Sequence, residues 1–226
     1  MLTGLEQYAW ERAGYFIRRA LLPAATVDRI LALSRATIDD DLRSTLLPAL
    51  LAEPSVAPLL VDLMGPSIGL ASARLLERPR EHRFGRATRV RLDAPAIEQQ
   101  MRLAGDALSL TLSVALTPSE WLYVLPGTHT QAPTAEQAEK LLAGEADVPG
   151  QVRIRLMPGD ALLRDRRLAH RCADPSGLWI QCGFADTLRR PYRSLPPVAD
   201  DSSLPEPVRA AFAQAGARLR AGAGTN

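Results

Sequence analysis

The clearest alternation of apolar and polar residues lies at 108–115, in the stretch "LSLTLSVA". One face carries Leu108, Leu110, Leu112 and Val114, and the other carries Ser109, Thr111 and Ser113. A period of two residues is typical of a β-strand with one apolar and one polar face. The pattern predicts a strand whose hydroxyl side chains line a pocket. Hydroxyls that face solvent on an edge strand would give the same pattern, so both interpretations stay open.

Helical periodicity dominates the first third of the chain, and strand patterns dominate the rest. Helices are predicted at 3–14, 23–53 and 55–65, with a short strand at 14–22 between the first two. Strands separated by turn signals, several of them Pro-Gly, are predicted at 67–79, 88–95, 107–118, 120–129, 151–160, 161–172 and 177–186, with a helical insertion at 134–145. This order predicts an α+β protein with a β-sandwich or barrel core in residues 1–193. Residues 194–226 are predicted to form a connector, a helix and a tail.

Length and composition limit the classes of function. The chain has 226 residues, with 46% hydrophobic and 23% charged residues and a net charge of +2, which favours one globular domain without nucleic-acid or membrane partners. The first residues lack the basic and apolar regions of a signal peptide, and two cysteines do not make a disulfide framework. We therefore expect a cytoplasmic protein with a small-molecule substrate, and a homodimer remains open.

Three segments, in the same order, resemble the phytanoyl-CoA dioxygenase family. They are "AGYFIRRALLPAATVDRI", "LTLSVALTPSEWLYVLPGTH", with its Pro-Gly-Thr-His turn, and "VRIRLMPGDALLRDRRLAH". The resemblance implies a double-stranded β-helix (jelly roll) with supporting N-terminal helices. It also implies an Fe(II) site made by His-x-Asp and a distant histidine, followed by an arginine that binds 2-oxoglutarate.

The family's metal motif is incomplete in this chain. By resemblance, His170 is the distant histidine and Asp93 the aspartate, but Arg91 stands where the first histidine belongs. A guanidinium has no lone pair for a metal. Gln181 occupies the position of the 2-oxoglutarate arginine, eleven residues beyond His170. We therefore expect no cofactor, the alternative being an Fe(II) and 2-oxoglutarate enzyme with an atypical site or one rescued by His82.

Arg91, Asp93 and His170 are the predicted catalytic residues. An Asp–His pair is a general acid/base unit, in which the carboxylate raises the pKa of the imidazole, and an adjacent arginine stabilises negative charge. This set predicts redox-neutral chemistry: cyclisation, isomerisation or dehydration. The family resemblance, together with the composition, implies a secondary metabolite as the substrate. The competing hypotheses are an active oxygenase and a non-catalytic ligand-binding protein. The predicted substrate contacts are Ser109, Thr111, Ser113, Trp121, Tyr123 and Gln181, with ordinary core packing as the alternative for the two aromatic residues.

Overall fold

The computed structural model describes residues 1–36, 46–76, 109–143, 147–172, 177–188 and 195–223. The α-helices are α1 (Gly4–Ala13), α2 (Ala24–Ala36), α3 (Leu47–Leu51), α4 (Val56–Met64), α5 (Ala135–Ala143) and α6 (Glu206–Ala223). The strands are β1 (Tyr15–Arg18), β2 (Ile68–Leu76), β3 (Ser109–Ala115), β4 (Ser119–Val124), β5 (Val152–Leu156), β6 (Ala161–Asp165), β7 (His170–Cys172) and β8 (Trp179–Asp186). A short 3₁₀ helix spans Val198–Asp200.

The described strands form two antiparallel sheets. The larger sheet has the order β1-β6-β3-β8-β2, and the smaller one has the order β5-β4-β7. Strands consecutive in the chain mostly lie in different sheets or are not neighbours, as in a jelly roll. The fold is therefore a double-stranded β-helix with supporting helices, and the predicted fold class is confirmed.

Two apolar clusters hold the layers together. The larger cluster lies between the helices and the outer face of the five-stranded sheet, where Leu112 and Phe184 pack with Leu60 and Phe212. The smaller one lies between the two sheets and includes Leu162, Trp179 and residues of β4 and β5. Because α6 contributes Phe212 to the large cluster, the C-terminal helix shares the core of the sheet. No helix among the described residues is long and apolar enough to cross a membrane.

Two predicted elements differ from the observed ones. The strand predicted at 161–172 is two strands, β6 and β7, joined by a turn. Asp165 makes this turn by accepting hydrogen bonds from the Arg167 backbone N–H (2.8 Å) and Nε (3.0 Å). The helix predicted at 23–53 is observed as α2 and α3, and the residues between them lie outside the described ranges. The predicted strand at 88–95, with Arg91 and Asp93, also lies outside them.

Candidate active site

The polar groups of the larger sheet lie in two rows on its inner face, toward the smaller sheet. Directly paired residues of an antiparallel sheet point to the same face. The register defines a first row of Tyr15, Arg164, Thr111, Gly183 and Ser72, and a second row of Ile17, Leu162, Ser113, Gln181 and Arg74. Leu162 belongs to the cluster between the sheets, which identifies this face as the interior of the barrel.

His170 reaches the same interior from the smaller sheet. It begins β7 and pairs with Val124 of β4, whose side chain packs between the sheets. The Nδ1 of His170 lies 2.9 Å from the carbonyl oxygen of Leu168. Since a carbonyl only accepts, Nδ1 carries the proton and donates it to Leu168. This tautomer leaves the lone pair on Nε2, the nitrogen on the far side of the ring.

The surroundings of His170 keep its imidazole neutral. Burial and the positive charge of Arg164 lower the pKa of His170 to about 3, although the hydrogen bond to Leu168 opposes this. Arg164 Nη1 lies 3.4 Å from His170 Nδ1. The expectation of a raised pKa assumed the Asp93 carboxylate beside the imidazole, and Asp93 lies outside the described residues. The charged neighbour among the described residues is the Arg164 cation. A neutral imidazole with Nδ1–H fixed by a carbonyl is the form in which histidine binds a metal through Nε2.

Arg164 is the site residue that sequence reasoning missed. It lies on β6 within the run Ala161–Asp165, and only 6% of its surface is exposed. The period-two signal was present in the sequence, because Arg164 shares a face with Leu162 and not with Leu163. An arginine on an otherwise apolar strand is a recognisable feature. The proximity of Arg164 to His170 could not be predicted from the sequence in the same way, because His170 belongs to the other sheet.

The predicted hydroxyl residues lie inside the barrel. Ser109, Thr111 and Ser113 are buried on the inner face of β3, so the pocket interpretation of their alternation agrees with their position. Gln181, on β8, donates a long hydrogen bond of 3.5 Å from Nε2 to Ser113 Oγ. The Thr111 hydroxyl makes no hydrogen bond within the described part of the chain. These groups line the inner face of the larger sheet, where Thr111 is paired with Arg164.

The predicted aromatic contacts are placed differently. Tyr123 follows Leu122, which packs between the sheets, so its own side chain points to the outer face of β4. There its ring lies 5.9 Å from the Arg153 guanidinium carbon, which turns the ring away from the barrel interior. The Trp121 side chain, like Arg91, Asp93 and His82, lies outside what the structure describes.

The Pro-Gly-Thr-His turn positions the start of β7. Thr128 Oγ1 accepts a hydrogen bond from the Ala169 backbone N–H (2.9 Å) and donates one to the Leu125 carbonyl (2.7 Å). His129 is buried beneath this turn, and its Nε2 lies 3.2 Å from the Glu11 carbonyl oxygen. The turn therefore connects α1 to the residue that precedes His170.

The donor chemistry of His170 fits one ligand of an iron site. Among the described residues, no three metal-binding side chains come together, so an ion held by His170 would need further ligands from outside them. The guanidinium of Arg164 lies on the Nδ1 side of the ring. The cation therefore suppresses imidazolium formation without occupying the side of the ring that carries the Nε2 lone pair.

No protein-family model and no curated protein sequence matches the chain. Solved structures with the same fold do match it. HygX from Streptomyces hygroscopicus is 16% identical, with a TM-score of 0.63, over 83% of this chain and 88% of HygX. SnoN, described as a non-heme alpha ketoglutarate dependent epimerase from nogalamycin biosynthesis, is 18% identical, with a TM-score of 0.55, over 81% of this chain and 82% of SnoN. SnoK, described as a carbocyclase of the same biosynthesis, is 15% identical, with a TM-score of 0.53, over 82% of this chain and 85% of SnoK.

These neighbours contradict the expectation that the protein needs no cofactor. SnoN has been solved with Fe3+ and alpha ketoglutarate, and HygX with nickel, 2-oxoglutarate and hygromycin B. The expectation rested on Arg91 and Gln181 standing at two motif positions. That expectation was weak because a barrel brings side chains of several strands to one point. The residue on β8, Gln181, is not a cation, but β6 supplies the cation Arg164. The sequence match to each neighbour is low, so what they share with this chain is the fold.

Proposed function

We propose that this protein is a small-molecule tailoring enzyme of secondary metabolism that uses iron and 2-oxoglutarate inside the barrel. The observation that carries the proposal is His170, whose neutral imidazole lies on the inner face of the smaller sheet and keeps its lone pair on Nε2. Three structural neighbours support it, because SnoN and HygX have been solved with nogalamycin RO and hygromycin B bound, and SnoK is described as an enzyme of nogalamycin biosynthesis. Iron with 2-oxoglutarate supplies oxidative attack on an unactivated C–H bond.

The chain's own residues are proposed to bind and orient the reactants. His170 is one metal ligand, and Asp93, by resemblance, is a second. Arg91 is proposed to contact an anionic group of the substrate, since it offers a fork of donors and no lone pair. Ser109, Thr111, Ser113 and Gln181 are proposed to orient the substrate by hydrogen bonds from the inner face of the larger sheet.

The outcome of the reaction is proposed to be an oxidative cyclisation, in which the substrate loses two hydrogens as the ring bond forms. O2 with 2-oxoglutarate would take up the two electrons and two protons, giving succinate, carbon dioxide and water. Sequence reasoning linked such outcomes to metal-free acid/base chemistry. SnoN and SnoK are described as an epimerase and a carbocyclase that depend on alpha ketoglutarate, so a rearranged product is compatible with iron. Cyclisation is therefore retained in an oxidative form, while redox-neutral, metal-independent chemistry is withdrawn.

Metal binding tests this proposal directly. Purified protein is titrated with Fe(II) under anaerobic conditions, and the bound metal is measured after desalting. We expect one equivalent of iron in the wild type and its loss in H170A, together with loss of iron-dependent succinate formation from 2-oxoglutarate. His129→Asn is the matched control, because His129 is also a buried histidine but contacts α1 instead of the barrel interior.

Two results would contradict the proposal. One is a wild-type protein that retains no iron and converts no 2-oxoglutarate. The other is iron binding that is equally strong in H170A and in the wild type. A wild type that binds an antibiotic-like ligand without forming product would instead favour the non-catalytic hypothesis.

A further inference from the structure

The structure places one buried cation at the point where the two sheets face each other. Arg164 is 6% exposed, and its side chain lies between Tyr15 and Thr111 in the first polar row. Its Nη1 also approaches His170 Nδ1 to 3.4 Å, so the guanidinium spans from β6 to β7. The arginine therefore lies on the inner face of the larger sheet, beside the candidate metal ligand.

A buried guanidinium favours a particular kind of ligand. It stays charged at any relevant pH, and moving it out of water is costly unless acceptors surround it. Its fork of N–H groups matches the two oxygens of a carboxylate, and such paired, charge-assisted hydrogen bonds are among the strongest in proteins. The adjacent Thr111 hydroxyl adds a donor next to the same position. This set of groups suits a carboxylate better than a neutral group.

Strand β8, on the other side of β3 from β6, has no cation on its inner face. In the second row, Gln181 is neutral and hydrogen-bonds to Ser113, while Arg74 lies at the exposed end of the row on β2. Gly183, in the first row beside Thr111, carries no side chain. Among the described inner-face residues of β3, β6 and β8, Arg164 is thus the positively charged one.

We infer that Arg164, assisted by Thr111, binds a carboxylate of the small molecule that enters the barrel. This inference rests on the proposed function, because that function brings 2-oxoglutarate into the pocket. The carboxylate belongs either to 2-oxoglutarate, at the end remote from the keto acid, or to the substrate. A carboxylate of either molecule would make the same contacts with Arg164. The ligands used in the binding experiment distinguish the two molecules.

Equilibrium binding to the nickel-loaded protein tests the assignment without turnover. The probes are 2-oxoglutarate and 2-oxopentanoate, which keeps the keto acid and replaces the remote carboxylate by a methyl group. Binding is followed by calorimetry and by intrinsic tryptophan fluorescence. In R164Q we expect affinity for 2-oxoglutarate to fall roughly 10- to 100-fold, as for loss of a charged hydrogen-bonded pair. Affinity for 2-oxopentanoate is expected to be weak and unchanged.

Three variants make the test specific. R164K keeps a point charge but loses the fork, so it should recover only part of the affinity. R74Q removes an arginine from the exposed end of the second row, and its affinity is expected to stay within about twofold of the wild type, because solvent screens its charge. R164Q/Q181R moves the guanidinium to β8 and should restore binding. Thermal unfolding of each variant identifies any that fail to fold. If R164Q fails to fold, the affinity of R164K is compared with that of the wild type instead.

The outcomes distinguish this inference from the proposed function. Equal 2-oxoglutarate affinity in the wild type and R164Q would overturn the role of Arg164 while leaving the proposed function intact. Succinate is titrated without metal as a second probe. Arg164-dependent succinate binding in a protein that binds neither metal nor 2-oxoglutarate would support a substrate carboxylate site and contradict the proposed function. A wild type that binds neither dicarboxylate at millimolar concentration would overturn the inference.

Discussion

Thr128→Val tests whether the Pro-Gly-Thr-His turn holds β7 in place. Valine has nearly the shape of threonine, so the substitution removes a hydroxyl with little change in volume. The hydroxyl accepts from the Ala169 N–H at 2.9 Å and donates to the Leu125 carbonyl at 2.7 Å. Ala169 is 7% exposed, so water cannot easily replace the lost acceptor.

The expected cost follows from the buried donor. Leaving a buried N–H without its acceptor costs about 1–3 kcal/mol, so we expect the free energy of unfolding to fall by about 2 kcal/mol. For a chain of this length, that corresponds to a decrease in Tm of roughly 4–8 °C. T128S, which keeps the hydroxyl, should lose much less stability.

Urea unfolding followed by tryptophan fluorescence measures this change. Thr130→Val is the matched control, because Thr130 lies in the same turn and makes an exposed hydrogen bond of 3.3 Å to the Gly127 carbonyl. Its free energy of unfolding should stay within about 0.5 kcal/mol of the wild type, as for surface substitutions. The reasoning fails if T128V is as stable as the wild type, or if T130V loses as much stability as T128V.

Three further substitutions test contacts around this region. Gly14→Ala should lower the free energy of unfolding by roughly 2–4 kcal/mol in thermal melts, because Gly14 has φ +79° and a Cβ there would lie 2.5 Å from His129 Nδ1. Gly65→Ala should cost about 1–3 kcal/mol from backbone strain alone, because Gly65 has no atom within 4 Å but a backbone conformation (φ +82°, ψ 175°) that L-residues rarely adopt. Asp160→Asn should lower the free energy of unfolding by about 1.5–3 kcal/mol in urea melts, because the buried carboxylate accepts hydrogen bonds from two backbone N–H groups at 2.9 Å. A loss as small as that of a substitution at an exposed residue would contradict this. His129→Asn should make the free energy of unfolding less sensitive to acid between about pH 7.5 and 5.5. Burial lowers the pKa of His129 in the folded protein, so stability is lost as the histidine of the unfolded chain becomes protonated near its ordinary pKa of about 6.5. An unchanged dependence of the unfolding free energy on pH would contradict this.

The buried carboxylate of Asp160 shows how a residue recognised as a turn former acts in three dimensions. Burial alone would raise the pKa of Asp160, but hydrogen bonds from Met157 and Ala20 and the Arg19 guanidinium lower it. The sequence indicates only the Pro-Gly-Asp turn. The contact with Ala20, which itself has φ +47°, depends on the antiparallel pairing of β1 with β6 and joins residues 140 positions apart.

Local sequence patterns determined the elements and the face that each residue presents. The period of two in β3 predicted the buried hydroxyls of Thr111 and Ser113, and the helix-then-strand order predicted an α+β protein with a β-sandwich or barrel core. The double-stranded β-helix itself was implied by the resemblance to the phytanoyl-CoA dioxygenase family. These inferences succeed because side-chain direction along a strand depends on the backbone geometry of that strand alone. Arg164 was open to the same reasoning, since its position on β6 already assigned it to the face of Leu162.

Only the tertiary structure decided which groups meet inside the barrel. The approach of Arg164 to His170 depends on how one sheet faces the other, and no residue spacing within either strand encodes that distance. The pKa of His170 is lowered for the same reason, because packing of the sheets buries the imidazole and places the Arg164 cation beside it. Motif positions on single strands therefore predicted an absent cofactor, while the packed barrel supplies a neutral histidine and a cation from different strands.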